Sequence, residues 1–410
     1  MRRSGIITAL ACIAVFLSAC GSPDEHALNG TQMASSPPTS ASGSAAETPL
    51  PVPTPEALGN VRNLTEAGFY VLEPATRSLW RMDHSYGSSG AWSPDGSSFV
   101  RFGPDRRNVD VVDLAMGSAW RVFSGELWHF SWSPEGNQMA FSTSEGIFTV
   151  YRDGSEFRRL ASIDGRGGMA WSPRGDLIAS AERYAVRVTD VSTGESKVVS
   201  PEVGPGDYLG FSSWLPDGGS LLFCSSPSTG AEVHKVSAGT YLYDLTGASA
   251  IMLADNCGAL LSPDGRSYAY SDDYGVYLAS VDGTESARLL AAGYDLGGWL
   301  PDGSALALGR KSCLTGDHDI YSMQVDSDEV VRVTDSSDVP KESAGWSPAA
   351  NRVAYSALLS DRQALFLLDM NTGELRELLT SAREFHIHGP RWSPDGRYIS
   401  FSGGGGHGAC

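Results

Sequence analysis

The sequence has no apolar run long enough to cross a bilayer: its most hydrophobic stretch, Ile6 to Phe16, is about half the length a spanning helix needs. Charge is sparse at 19% and unbalanced, with 30 Lys and Arg against 48 Asp and Glu. So acidic a chain is repelled by phosphate backbones, which excludes nucleic acid as a partner. Cysteine is scarce, six in 410 residues. None stands in a Cys-x-x-Cys or Cys/His spacing, so a zinc site is excluded. No Gly-x-Ser-x-Gly elbow occurs, which argues against a serine peptidase, and no motif implies a cofactor.

What the chain has instead is repetition. A motif built on Trp-Ser-Pro-Asp-Gly starts at Trp92, Trp132, Trp171, Trp214, Leu261, Trp299, Trp346 and Trp392, with successive starts 40, 39, 43, 47, 38, 47 and 46 residues apart. A period near 40 is the mark of a repeat architecture. In the first copy Pro94 presets the φ of a turn's second position, Asp95 suits the third, and Gly96 accepts positive φ. The Trp is a large apolar plug between sheets. Strand-like segments flank each turn, such as Trp128 to Trp132 before and Gln138 to Ser142 after. A third follows, as in Val109 to Asp113 or Leu365 to Asp369, and then a more polar fourth, such as Arg376 to Leu379. Four short strands per repeat of this length make a β-propeller blade.

The Trp-Ser-Pro-Asp-Gly turn, the aliphatic-Tyr-x-x-Asp strand and the Arg-x-Leu strand resemble the propeller repeats of the TolB family, shared with the propellers of prolyl-oligopeptidase-like peptidases. The resemblance covers roughly residues 67 to 402 and implies an all-β fold. The eighth repeat holds only two strands, ending near Ser402, and the two it lacks stand before the first motif at Phe69 to Glu73 and Ser78 to Arg81. Joining them closes the ring and removes free edges. The expectation is a single propeller of eight four-stranded blades, with seven as the alternative because the Trp346 copy lacks Asp-Gly and the Leu261 copy lacks Trp.

The N-terminus reads as a processing signal: Arg2 and Arg3, the apolar stretch, then Leu17-Ser18-Ala19-Cys20. It resembles the bacterial lipobox, which implies acylation of Cys20 and a chain held on the extracytoplasmic side by lipid alone. Loss of residues 1–19 removes two basic and no acidic residues, leaving a net charge of −20. Residues 20–58, rich in Ser, Ala, Pro and Thr, are expected to be a lipidated, disordered linker. The propeller is expected over 59–402, followed by a flexible tail at 403–410.

Strand order puts the Pro-Asp-Gly turns on one face of the ring and the loops after strands two and four on the other. Length varies on the second face, at 201–208, 226–239, 311–318 and 334–341, and variable loops on a regular scaffold are where binding resides. That face is also where Cys224, Cys257, Cys313 and Cys410 fall, as disulfides or plain thiols. Cys224 and Cys257, in neighbouring blades, are the candidate pair. His84, His129, His386 and His388 lie near the starts of innermost strands in adjacent blades and are candidate ligand or metal residues at one channel mouth. Separate hydrogen-bonded histidines are the plainer reading. Asp317-His318-Asp319 reads as turn chemistry. The expected function is a monomeric, non-catalytic module binding a protein, peptide or glycan at the variable-loop face. The alternative is a propeller enzyme, such as a metal-dependent polysaccharide lyase using those histidines.

Overall fold

The structure is a computed structural model that describes residues 50–51, 54–83, 89–102, 107–162, 168–182, 185–200, 208–226, 237–310, 319–335, 339 and 341–405. Among them there is no helix, and the strands form eight separate antiparallel sheets of four strands each in an unbroken cyclic order, three of them extended by a fifth. This is an eight-bladed β-propeller. Blade one begins at the innermost strand Ser89–Trp92, and blade seven forms fully, from Lys341–Trp346 outward, although its turn lacks the Asp-Gly. Blade eight is composite. Phe385–Trp392 and Ile399–Gly405 from the C-terminal end pair with Gly68–Glu73 and Ser78–Asp83 from the N-terminal end, so the ring is closed by main-chain hydrogen bonds between the two ends of the fold.

Each motif Trp does more than fill space. The indole N–H of Trp171, Trp214, Trp299 and Trp392 donates to the carbonyl of Ser131, Ala170, Leu260 and Gly345 at 3.2, 3.1, 3.0 and 3.0 Å. Each acceptor is the residue just before the motif in the preceding blade, so every such bond keys one blade to its predecessor. Across the closing seam the bond is relayed: Trp92 donates to the Ser400 hydroxyl at 3.2 Å, which donates to the Arg391 carbonyl at 3.3 Å. Trp132 departs from the pattern, its indole nitrogen being buried with no partner among the described residues.

A second regularity runs through the blade cores. Directly opposite positions on the second and third strands carry a stacked aromatic pair in five blades: Phe141–Phe148, Phe223–Tyr241, Tyr270–Tyr277, Tyr355–Phe366 and Phe401–Tyr70, with centroids 6.0, 5.3, 5.1, 5.5 and 5.5 Å apart. Cross-strand pairs of this kind stabilise a sheet by about 0.5–1.5 kcal/mol beyond their burial. Blade six substitutes Leu308 opposite Tyr321. Blade one places a buried ion pair there, Arg101 with Asp110 at 3.2 Å, and Arg101 also reaches the Met82 carbonyl of blade eight at 2.6 Å.

The N-terminal boundary falls earlier than the composition suggests. Leu50–Pro51 pairs with the outermost strand of blade one, Glu56–Gly59 with that of blade eight, and Asn63–Leu64, in parallel, with that of blade seven. Residues 50–64 therefore form a strap around the outside of three successive blades. Its hold needs few large side chains: edge strands offer unpaired N–H and C=O groups to any extended backbone, and Pro is tolerated at such edges. Leu64 is buried, with Leu58 and Val61 packed on the same core, and the buried Arg81 guanidinium binds the carboxylates of Glu56 and Glu66. At the other end the last strand runs to Gly405, into the segment expected to be tail.

Candidate functional site

The two faces of the ring differ in how they are finished. On the turn face the Ser of the motif, fully buried in blades one, three and eight, ties the turn shut: in blade five Ser262 Oγ donates to Asp264 at 2.6 Å and accepts from the Ser267 N–H at 3.0 Å. Neighbouring turns also press on each other. A Cβ on Gly96 would stand 2.8 Å from the Asp395 carboxyl of blade eight, and one on Gly396 would stand 2.6 Å from Ala349 Cβ of blade seven. Both glycines sit at φ near +70°, where a side chain is strained in any case. The motif residues are thus consumed in building a close-packed collar.

The opposite face carries exposed aromatic groups. Cys224, ending the second strand of blade four, and Cys257, leading into blade five, are joined as a disulfide with Cα atoms 5.3 Å apart. Tyr274, in the turn between the second and third strands of blade five, is 75% exposed, and Tyr208, opening blade four, is 47% exposed. In blade six Arg310 lies over Tyr294 and Tyr321, 5.2 and 5.8 Å from the ring centroids. Burial, and after it the nearby Asp272 carboxylate, pushes the Tyr277 phenol up. In blade seven an open cleft of about 550 Å³ is lined by Val339, Leu358, Asp361, Arg362 and Arg383. Arg362 is paired to Asp361 and Glu377 at 3.1 and 3.0 Å, and Arg383 donates to the Ser360 carbonyl at 3.1 Å.

His386 and His388, on the innermost strand of blade eight, come together as a stacked pair with centroids 5.3 Å apart. His129 opens the innermost strand of blade two, opposite Ser142. His84 lies outside the described residues, as do Cys20, Cys313, Cys410, Asp317, His318 and most of the four variable connections. Among the described residues no group of three or more His, Cys, Asp or Glu is arranged to hold a metal ion, and no helix is long and apolar enough to cross a membrane.

One polar centre escaped the reading of the sequence. Asp319, taken there as the entry to a turn, has a fully buried side chain between blades six and seven. Its carboxylate accepts from Arg332 Nε at 2.7 Å and Thr334 Oγ1 at 2.7 Å, and binds the ammonium of Lys341, 2% exposed, from the innermost strand of blade seven. Burial pushes the carboxyl up, but the Lys341, Thr334 and Arg332 donors outweigh it and hold it below the usual range. Burial, with Asp319 nearby, pushes the Tyr355 phenol up to about 12. The donors come from strands flanking Asp319 in space, 13 to 22 residues away in sequence, a separation at which no local pattern signals a contact.

No family model matches the sequence, and no curated protein matches it at a significant level. Solved structures do. The dihydro-heme d1 dehydrogenase NirN in complex with DHE aligns at a TM-score of 0.56 and 14% identity over 80% of this chain and 78% of that one. Dipeptidyl peptidase 4 of Porphyromonas gingivalis aligns at 0.55 and 13% identity over 77% of this chain but only 56% of the peptidase. A protein described as a putative TolB from Agrobacterium tumefaciens shares 18% identity over 72% of this chain and 96% of its own length, at a TM-score of 0.35. At these identities the likeness to the two better-aligned structures is one of fold alone.

Proposed function

We propose that this chain is a lipid-tethered, extracytoplasmic, non-catalytic binding module whose loop face takes a protein, peptide or glycan. The observation that carries the reading is the contrast between the faces: the motif turns are locked into one another, while the loop face presents Tyr274, Tyr208 and the Arg310–Tyr294 contact. Exposed aromatics beside a guanidinium are the side chains that contribute most at recognition surfaces, since each covers much area with few rotatable bonds. The membrane tether rests on the Leu17-Ser18-Ala19-Cys20 segment. The test is affinity capture from envelope extract with the mature chain, beside a Tyr208→Ser, Tyr274→Ser, Arg310→Ser variant. A partner retained by the first and lost by the second supports the module, and identical capture by both refutes its placement on this face.

A second reading, a metal-dependent propeller lyase, is favoured by one observation, the adjacent His386 and His388 rings. Stoichiometric metal in the purified chain, lost together with polysaccharide cleavage in a His386→Ala, His388→Ala variant, would establish it in place of the first.

A further inference from the structure

The outermost strand of each blade is a free edge unless something covers it, and edge strands are guarded by charged side chains that make pairing with a foreign strand costly. Three of the eight outer edges are covered by the chain's own N-terminal segment. Of the other five, four follow that rule, their fourth strands carrying Arg158 and Arg159, Lys197, Arg288 and Arg332. Blade four does not: its fourth strand, Ser249–Ala254, reads Ser-Ala-Ile-Met-Leu-Ala with no charge at all. Nothing beyond it pairs with this strand among the described residues, and its Ile251 and Met252 are 52% and 53% exposed. Where other fourth strands expose an apolar side chain, as at Leu289 and Val331, an arginine is its neighbour in the strand.

Two further observations say what fits there. First, the outer rim already takes additional strands: the chain's own extended N-terminal segment is added to blades one, eight and seven, antiparallel twice and parallel once. Blade four stands diametrically opposite blade eight in the ring, as far from that strap as the fold allows. Second, the open edge is bounded by carboxylates, Asp244 before its turn and Asp255 directly after it, on a chain with 48 acidic and 30 basic residues. A second copy of this chain would bring like charge to like; a basic segment would not.

We propose that the outer edge of blade four is a strand-addition site for an extended segment of a partner protein, apolar at alternate positions and basic at its ends. Ser249–Met252 keeps a regular register with Tyr241–Asp244, so alternate residues direct their N–H and C=O groups outward for a ladder. Ile251 and Met252 are successive residues on opposite sheet faces, so an incoming strand apolar at alternate positions would lay its apolar row over Ile251 and its polar row over Met252. The site lies on the rim, apart from the loop face, and stands or falls independently of what that face binds.

The experiment titrates the mature chain into a fluorescently labelled synthetic peptide of alternating valine and threonine with two lysines at each end, read by anisotropy. A second peptide is N-methylated at alternate residues, which removes ladder donors without changing charge. Saturable binding to the native chain is expected, weakened at least about tenfold by Ile251→Lys and by N-methylation, weakened by added salt, and unchanged by Leu289→Lys on the neighbouring blade. Ile251 is half exposed, so the Lys variant is expected to keep native far-ultraviolet circular dichroism and Tm. No saturable binding, equal binding by Ile251→Lys or by the N-methylated peptide, or a native chain sedimenting as a dimer that Ile251→Lys dissociates, would each overturn the proposal, the last by giving the edge to a second copy.

Discussion

Replacing Asp319 by alanine tests whether the buried centre between blades six and seven joins them or merely tolerates its own charges. Its side chain and that of Lys341 are 0% and 2% exposed, whereas Arg332 is 37% exposed and has a second partner, Asp335, at 3.0 Å. Asp319→Ala therefore takes its carboxylate from the buried Lys341 ammonium while Arg332 turns to water, and breaking a buried ion pair by removing one partner costs about 3–5 kcal/mol. At roughly 2 °C per kcal/mol for a chain of this length, Tm should fall by about 6–10 °C. Lys341→Met is the informative contrast: Asp319 keeps Arg332 and Thr334 at 2.7 Å each, so the loss should be smaller, about 1–3 kcal/mol. Asp319→Leu combined with Lys341→Met leaves no buried charge and should sit within about 1 kcal/mol of the native chain. Urea unfolding at pH 7, followed by tryptophan fluorescence, measures all three. An Asp319→Ala loss below about 1 kcal/mol, or a double variant less stable than Asp319→Ala, would refute the idea that the stranded ammonium is what costs stability.

Trp214→Phe should cost about 1 kcal/mol or more for the lost bond to the Ala170 carbonyl, whereas Trp132→Phe, which removes an unpartnered buried donor, should cost distinctly less; equal losses in urea would contradict the keying role of the indole. Reducing the Cys224–Cys257 bond reopens a loop of sequence separation 33, worth up to about 3–4 kcal/mol on chain entropy, measurable as a lower Tm with reductant that a Cys224→Ser variant no longer shows. Hydrogen bonds from Ser262 to Asp264 and from Ser192 to Asp190, and the donors around Asp319, lower these carboxyls. A depressed folded pKa means the unfolded chain takes up protons first, so their contribution is complete above about pH 4 and lost as pH falls below it; a urea midpoint independent of pH from about 5 down to 2 would contradict this. Cys20→Ala should move the protein from the membrane pellet to the soluble fraction and abolish incorporation of labelled fatty acid.

The ring was legible because its signal is local. Seven of the eight turns carry a Pro and, two residues on, a Gly, and the missing strands of the eighth repeat could be found at the other end of the chain because a propeller must close. The aromatic pairs were not legible, since Phe141 and Phe148 look like any two strand residues until register sets them opposite one another. The first part of the strap, up to residue 58, was read as linker because it is held chiefly by main-chain groups, which composition does not encode. At the loop face, sequence brought Cys224 to Cys257, yet Tyr208, Tyr274 and Arg310 went unnoticed: their common location depends on the strand order of three blades, and none belongs to a motif.

The bond from four of the motif indoles to the blade before them also bears on how such a chain grows. Its donor lies inside the repeat and its acceptor is a main-chain carbonyl at a fixed place in the previous repeat, so the contact is indifferent to which side chains that neighbour carries. A duplicated repeat inserted anywhere along the ring would arrive already fitted to the units on both sides. Only the junction bridged by Ser400 would demand a matched hydroxyl. Blade number can therefore drift by whole units during evolution, while the junction of blade eight with blade one keeps its own relay.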